Sequence, residues 1–179
     1  MRHKEILAAG ARLFAVSVDS PARNAALVAR LFLPFPVLSD PDRSGAIIRY
    51  GVADEKDARM IARPAIVVVT PAREEAFRMV SRDFADRLPE DELLAALERL
   101  GLAATSQGSP EPGIPEPGSR SLSPSELRIY FRGARFAAQA MGLRHAHFAD
   151  EIKFDSKRYV AGMDRFTAAL DWLREQSGE

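Results

Sequence analysis

Twenty residues rich in Pro, Gly and Ser, Thr105 to Pro124 (TSQGSPEPGIPEPGSRSLSP), divide the chain into parts that cannot share one run of regular structure. The tetrapeptide PEPG occurs twice within them. Such a composition resists helix and offers nothing to a core, so it reads as a linker. The chain has 179 residues, against a usual scale of about 150 per domain. The expected division is a domain over 1–103, a linker over 104–122 and an extension over 123–179.

Before the linker, hydrophobic period changes repeatedly. Residues 2–9 have the character of a short helix closed by Gly10. Arg12 to Val18 (RLFAVSV) reads as a buried strand. Asp19-Ser20-Pro21 supplies a cap and a first-turn proline, starting a helix that runs to Phe32 with Ala25, Val28, Ala29 and Phe32 on one face. Pro34 to Leu38 is extended, Ser39-Asp40-Pro41-Asp42 a turn, and Ser44 to Tyr50 a short helix stopped by Gly51. Residues 53–62 are polar and irregular. Ala65 to Thr70 is the clearest strand, uniformly apolar as for one covered on both faces. Pro71 to Glu74 turns the chain into a second strand, Ala76 to Val80. A helix starting at Leu88-Pro89-Glu90-Asp91 carries Leu93, Leu94, Leu97 and Leu100 as its apolar stripe. This alternation implies an α/β layered domain.

After the linker, Ser123 to Met141 and Ser156 to Glu175 read as two helices. The second places Tyr159, Val160, Met163, Phe166, Leu170 and Leu173 near heptad spacing. A hairpin of this size needs something to dock on.

Hydrophobic residues make up 46% and charged residues 28% of the chain, the balance of a soluble globular protein. Twenty-five basic residues offset twenty-five acidic ones, leaving no electrostatic signature for nucleic acid or an anionic membrane. The longest apolar run, Ala65 to Val69, is too short to span a bilayer. Ile6 to Gly10 is too short and mild for a signal-peptide core, which points to a cytoplasmic protein. The chain has no cysteine. Disulfides, thiolate metal sites and cysteine nucleophiles are therefore outside its own chemistry.

Four short stretches, in order, make a recognisable set: Ser17-Val18-Asp19-Ser20, Leu33-Pro34-Phe35-Pro36, Leu38-Ser39-Asp40-Pro41-Asp42 and Tyr50-Gly51-Val52. Together with Ala62-Arg63-Pro64-Ala65 and the apolar residues that follow, the stretch over 15–52 resembles the peroxiredoxin family, the alkyl hydroperoxide reductase and thiol-specific antioxidant proteins. The resemblance implies an α/β thioredoxin-like, peroxiredoxin-type three-layer fold, here incomplete and followed by a C-terminal helical hairpin. It implies reduction of hydroperoxides as the ancestral activity, with no cofactor. That chemistry uses a peroxidatic cysteine in a P-x-x-x-T-x-x-C loop, with an arginine that lowers the thiol pKa and binds the peroxide.

Residues 2–12 resemble the end of the cysteine-bearing helix and its exit, so the match starts after the cysteine loop. The family's arginine carries over to Arg63 as the catalytic candidate, or Pro64 occupies that position and faces the active site. The second registration predicts a cis Arg63–Pro64 bond. A structural reading of Arg63 stands beside these, as an ion-paired residue before a strand with Glu55, Asp57 or Asp83 as partners. In the family's sheet a further strand lies between the strands at 12–18 and 65–70. Without it the two pair directly, or another chain donates a strand, or in-frame codons upstream of Met1 encode one together with T-x-x-C.

Other constellations read more simply. His145-Ala146-His147 with Asp150-Glu151 is better taken as a polar loop between helices than as a metal site. His3 reads as a surface residue. Asp19-Ser20 is a helix cap rather than part of a hydrolase triad, since no nucleophile elbow accompanies it. The Arg and aromatic residues of 130–136 suit a packing face better than nucleic-acid stacking. Two readings follow: a peroxiredoxin-like domain without peroxidase activity, or a non-catalytic module that forms a homodimer or binds a strand-donating partner. Hydroperoxide is a substrate by resemblance alone, and neither nucleic acid nor membrane is an expected partner.

Overall fold

A computed structural model of the chain describes residues 2–82, 90–145 and 147–177. It forms two compact units, 1–118 and 119–179, of mixed α/β and all-helical character. The α/β class read from the sequence is what the first unit has.

Helix α1 (His3–Ala8) ends where Gly10 takes φ +84°, and Gly10 N and Ala11 N close on Leu7 O and Ile6 O. A side chain at Gly10 would meet Leu102 Cβ at 2.6 Å, so close approach as well as turn geometry requires glycine there. Strand β1 (Ala15–Ser17) pairs in parallel with β2 (Val37–Ser39), Ala15 opposite Val37 and Ser17 opposite Ser39. Between them runs α2 (Pro21–Leu31), whose Ser20 hydroxyl accepts a hydrogen bond from Arg23 N as the sequence predicts.

The inward face of α2 is Asn24, Ala25 and Val28; Ala29 and Phe32 are exposed. Phe32 takes the left-handed C-cap position (φ 47°), which turns it off the helical face. Asn24, 2% exposed, joins three elements: its Nδ2 donates to Asp19 O, Leu38 O and Ser39 Oγ, and its Oδ1 accepts from Ser17 Oγ. A polar side chain is stable there because each of its hydrogen-bonding atoms is satisfied.

Residues 44–50 form turns rather than the short helix their sequence suggests, with Ile48 N on Arg43 O and Val52 N on Ile47 O. The reason is Asp40, whose carboxylate binds the amides of Gly45, Ala46 and Ile47 and holds them off a regular helical path. Residues 53–62 are likewise ordered: Ala53 and Ala62 form an antiparallel bridge.

Strand β3 (Ala65–Val69) pairs antiparallel with β4 (Glu75–Val80), with a bulge between Val68 and Val69. Contrary to expectation, β3 is not covered on both faces: Ala65 and Val69 are exposed and the three residues between them half-buried. Among the described residues each of β1 and β3 has a single neighbour in its two-stranded sheet, and the two do not pair with each other. Direct pairing, one of the alternatives left open by the sequence, is thereby removed. Helix α3 (Glu90–Glu98) buries Leu94, Ala96 and Leu97, and Asp91 on it pairs with Arg2. The expected helix start at Leu88 lies outside the described residues.

Residues 104–118 lie against the first unit instead of running free. Thr105 N donates to Leu7 O and Glu116 N to Ala22 O.

In the second unit α4 (Pro124–His145) and α5 (Asp150–Ser177) are both longer than their sequence period suggests. Ser123 and Glu126 form a reciprocal capping box at the start of α4, Ser123 N donating to Glu126 Oε2 at 2.7 Å. The helices pack antiparallel. Arg128 pairs with Asp171, Phe131 stacks on Phe166 at 5.1 Å, and Arg135 pairs with Asp164 at 2.6 Å. Ser156 Oγ donates to Ala138 O, and its atoms occupy the space where Gly142 lacks a side chain. Met163 and Leu170 form the buried centre.

Candidate functional site

The turn at Tyr50-Gly51-Val52 brings the predicted site residues into context. Gly51 has φ +64°, which turns the chain toward the bridge at Ala53. Arg63 N donates to Val52 O at 2.8 Å, and the Arg63 guanidinium donates to Gly51 O at 3.1 Å. Of the partners considered from sequence, Glu55 pairs with Arg43 and Asp57 with Arg59, while Asp83 lies outside the described residues. Arg63 thus spends a donor on main chain, and its side chain sits at the surface.

Pro64 is half-buried, and its carbonyl accepts from Ser81 N at 2.7 Å, continuing the β3–β4 ladder. The Arg63–Pro64 bond is trans, correcting the cis expectation. The bridge at 53–62 and the Arg63–Val52 bond deliver the chain to β3 already extended, the geometry that a trans X-Pro bond adopts by default.

A second arginine, which sequence reasoning missed, completes this cluster. Arg78 on β4 donates to Tyr50 O at 2.5 Å and pairs with Glu75. Its guanidinium holds the Glu75 carboxyl below the usual carboxylate range. Two guanidinium groups, one from the segment leading into β3 and one from β4, therefore grip consecutive carbonyls, Tyr50 and Gly51. The signal available in sequence was the alternation of β4, which puts Arg78 across from Val67. Such a pair of cations binds carbonyl oxygens or an anion; it supplies no nucleophile.

Asp40 is the other missed residue. It is 5% exposed and accepts from Gly45, Ala46 and Ile47 N at 2.8, 2.9 and 2.8 Å. Those amide bonds, Ile47 first, hold its carboxyl below the ordinary value. Arg43 beside it has φ 66° and lies 3.7 Å from Glu55.

His3 is buried rather than on the surface. Its Nε2 lies 3.2 Å from Gln107 Oε1 and its ring 6.1 Å from Phe35. Gln107 in turn accepts from Leu13 N at 3.0 Å and donates to Leu13 O at 2.7 Å, reading both main-chain groups of one residue. An open cleft of about 530 Å³ lies beside this contact, between Phe14, Pro36 and Ser109. Arg12 and Glu111 also line it.

His145 closes α4, and His147 lies in the short connection, its ring centroid 4.0 Å from that of Phe148. Asp150 and Glu151 belong to the first turn of α5 rather than to a loop. Among the described residues no three His, Asp or Glu side chains gather as metal ligands. Asp19 and Ser20 act at the helix start, with Arg23 as the partner of both. No helix among the described residues is long and apolar enough to cross a membrane.

No curated protein and no solved structure matches this chain. A family model does, over residues 1–74, which span α1 through β3 and include Asp40, the 50–52 turn, Arg63 and Pro64. Over these residues the chain is similar to the AhpC/TSA family.

Proposed function

We propose that this chain is a peroxiredoxin-like domain carrying the AhpC/TSA framework without peroxidase chemistry of its own. The observation behind this reading is the absence of cysteine. In this chemistry a thiolate attacks the peroxide O–O bond and becomes a sulfenic acid that a second thiol reduces. No other side chain here can repeat that cycle. A methionine thioether takes up one oxygen as sulfoxide, which ordinary thiols do not restore without a dedicated reductase. Arg63, the candidate for the peroxide-binding arginine, is surface-exposed and bonded to Gly51 O. The test is consumption of hydrogen peroxide and an organic hydroperoxide with dithiothreitol present. Loss at the buffer rate is expected. Five methionines allow at most five equivalents of stoichiometric uptake; sustained turnover beyond that overturns the reading.

A second reading, a non-catalytic interaction module, draws on two features. Large apolar residues of the helical unit face outward, including Ile129, Phe136, Leu143 and Phe154. Among the described residues strands β1 and β3 each have one neighbour, leaving an edge for a strand-donating partner. Under this reading, ending the chain after Gly118 abolishes self-association and leaves the circular dichroism of the first unit intact. Persistence of the association in the shortened chain excludes the helices as its source.

A further inference from the structure

We infer that α4 pairs with α4 of a second copy, antiparallel, with Phe136 on the two-fold axis. This deepens the interaction-module reading and rests on it. Helix α4 is apolar on two opposite faces. One packs on α5 through Phe131, Ala138 and Gly142. The other carries Ile129, Gly133, Phe136, Ala140 and Leu143, spaced four, three, four and three residues apart, the heptad seam of paired helices. All five are exposed, and Ile129 and Leu143 are 74% and 79% open to solvent.

The seam alternates large and small residues, and Gly133 carries much of the argument. Glycine inside a helix costs about 1 kcal/mol relative to alanine, and at Gly133 nothing within the chain explains it. Beyond its own helix backbone and chain neighbours, no atom of the described residues lies within 4 Å of where its Cβ would be, and its φ is not in the left-handed region. A hole beside Phe136 is what an incoming ring requires. With Phe136 on the axis, residue i meets residue 272 − i, so Ile129 meets Leu143 of the second copy and Gly133 lies beside Ala140. Large side chains then fill the spaces left by small ones.

Charge selects the second copy and the direction. Glu126 and Arg144 are eighteen positions apart, five turns of 3.6 residues, so they flank the seam on one side. Antiparallel pairing about Phe136 brings Arg144 of each copy to the first turn of the other, where Glu126 lies. A parallel pair leaves them about 27 Å apart along the axis. On the other flank Arg132 lies beside Gln139, one position off direct register.

Ile129, Tyr130, Phe136, Met141 and Leu143 together expose roughly 500–600 Å² of apolar side chain per copy. That is the upper end for a patch on a monomer. With the flanking Arg, Gln and Ala residues it approaches the roughly 800 Å² per partner of a stable interface.

The chain's lack of cysteine makes the test clean. Sedimentation of the full chain over a concentration series is expected to show dimer. Phe136→Glu is expected to weaken association about 30-fold or more, the effect of losing a central anchor. Gly133→Leu fills the hole without touching the monomer and should do the same while fluorescence of the single tryptophan, Trp172, stays unchanged. Under mild oxidation Phe136→Cys should cross-link to itself. Ile129→Cys and Leu143→Cys should cross-link with each other but not with themselves, since like positions lie about 21 Å apart. A monomer at all concentrations overturns the inference. A dimer whose Ile129→Cys chains link to themselves also overturns it while leaving the broader module reading standing. The peroxide assay is independent of both outcomes.

Discussion

Gly142→Ala tests how closely α4 approaches α5. An added methyl would sit 2.1 Å from Ser156 Oγ and 2.6 Å from Ser156 Cβ. Rotation of the hydroxyl relieves the first contact but not the second, because Cβ is fixed to the backbone. The helices must therefore move apart. Overpacking of this kind costs about 1–3 kcal/mol. Separation also lengthens the 2.7 Å bond from Ser156 Oγ to Ala138 O, worth about 1 kcal/mol. Against these stands about 1 kcal/mol gained by replacing glycine with alanine in a helix. The net expectation is destabilisation by about 1–3 kcal/mol, lowering the midpoint by roughly 1 M urea or more. Trp172 lies on α5, so its fluorescence reports on this unit alone. Gly142→Ala with Ser156→Gly removes both clashing atoms and should show a favourable coupling of at least about 1 kcal/mol. A Gly142→Ala protein as stable as the parent would refute the close-approach argument.

Asp40→Asn should flatten the acid limb of the first unit's stability. A carboxyl with a depressed folded pKa contributes fully above its unfolded value of about 3.9. That contribution is lost as pH falls through the folded value, a dependence the amide lacks; identical acid profiles by circular dichroism would contradict this. Arg43→Gly relieves a positive φ at a non-glycine residue and should raise the first unit's stability by up to about 1 kcal/mol, read by urea titration, despite losing the contact with Glu55. Gln107→Ala removes both bonds to Leu13 and should speed protease cleavage within 104–118 several-fold, with faster exchange at the Leu13 amide. Arg63→Ala should quicken amide exchange around Gly51 and Val52 and leave the peroxide baseline where it was.

Much of the first unit was legible because its signals are local. Ser20-Pro21 starts α2 by supplying a cap and a preset φ, and Gly10 ends α1 by accepting a positive one. The AhpC/TSA motifs were readable as short strings in fixed order. What sequence did not disclose depends on atoms distant along the chain. Asn24 looks like an ordinary helical polar residue until Leu38 and Ser39 are brought to it. His3 is buried where Phe35 and Gln107, the latter more than a hundred residues later, are brought to it. Composition marked the Pro/Gly/Ser tract as resisting helix, and α4 starts only at its last residue, Pro124, yet composition could not reveal that Thr105, Gln107 and Glu116 bond within the first unit. The role of Arg63 was open in sequence because its acceptor is a main-chain carbonyl, which every residue has and no motif announces.

Asp40 sets the length of the segment that follows it. One carboxylate fixes three successive amides at 45–47, so the path from Pro41 to Ser44 must return to a single point in space. Side chains along that path can change in kind, as Arg43 shows by holding a conformation that suits glycine better. The number of residues cannot. Inserting or deleting one between Asp40 and Gly45 shifts which amides meet the carboxylate, and with them the placement of Tyr50 and Gly51 beneath the two arginines.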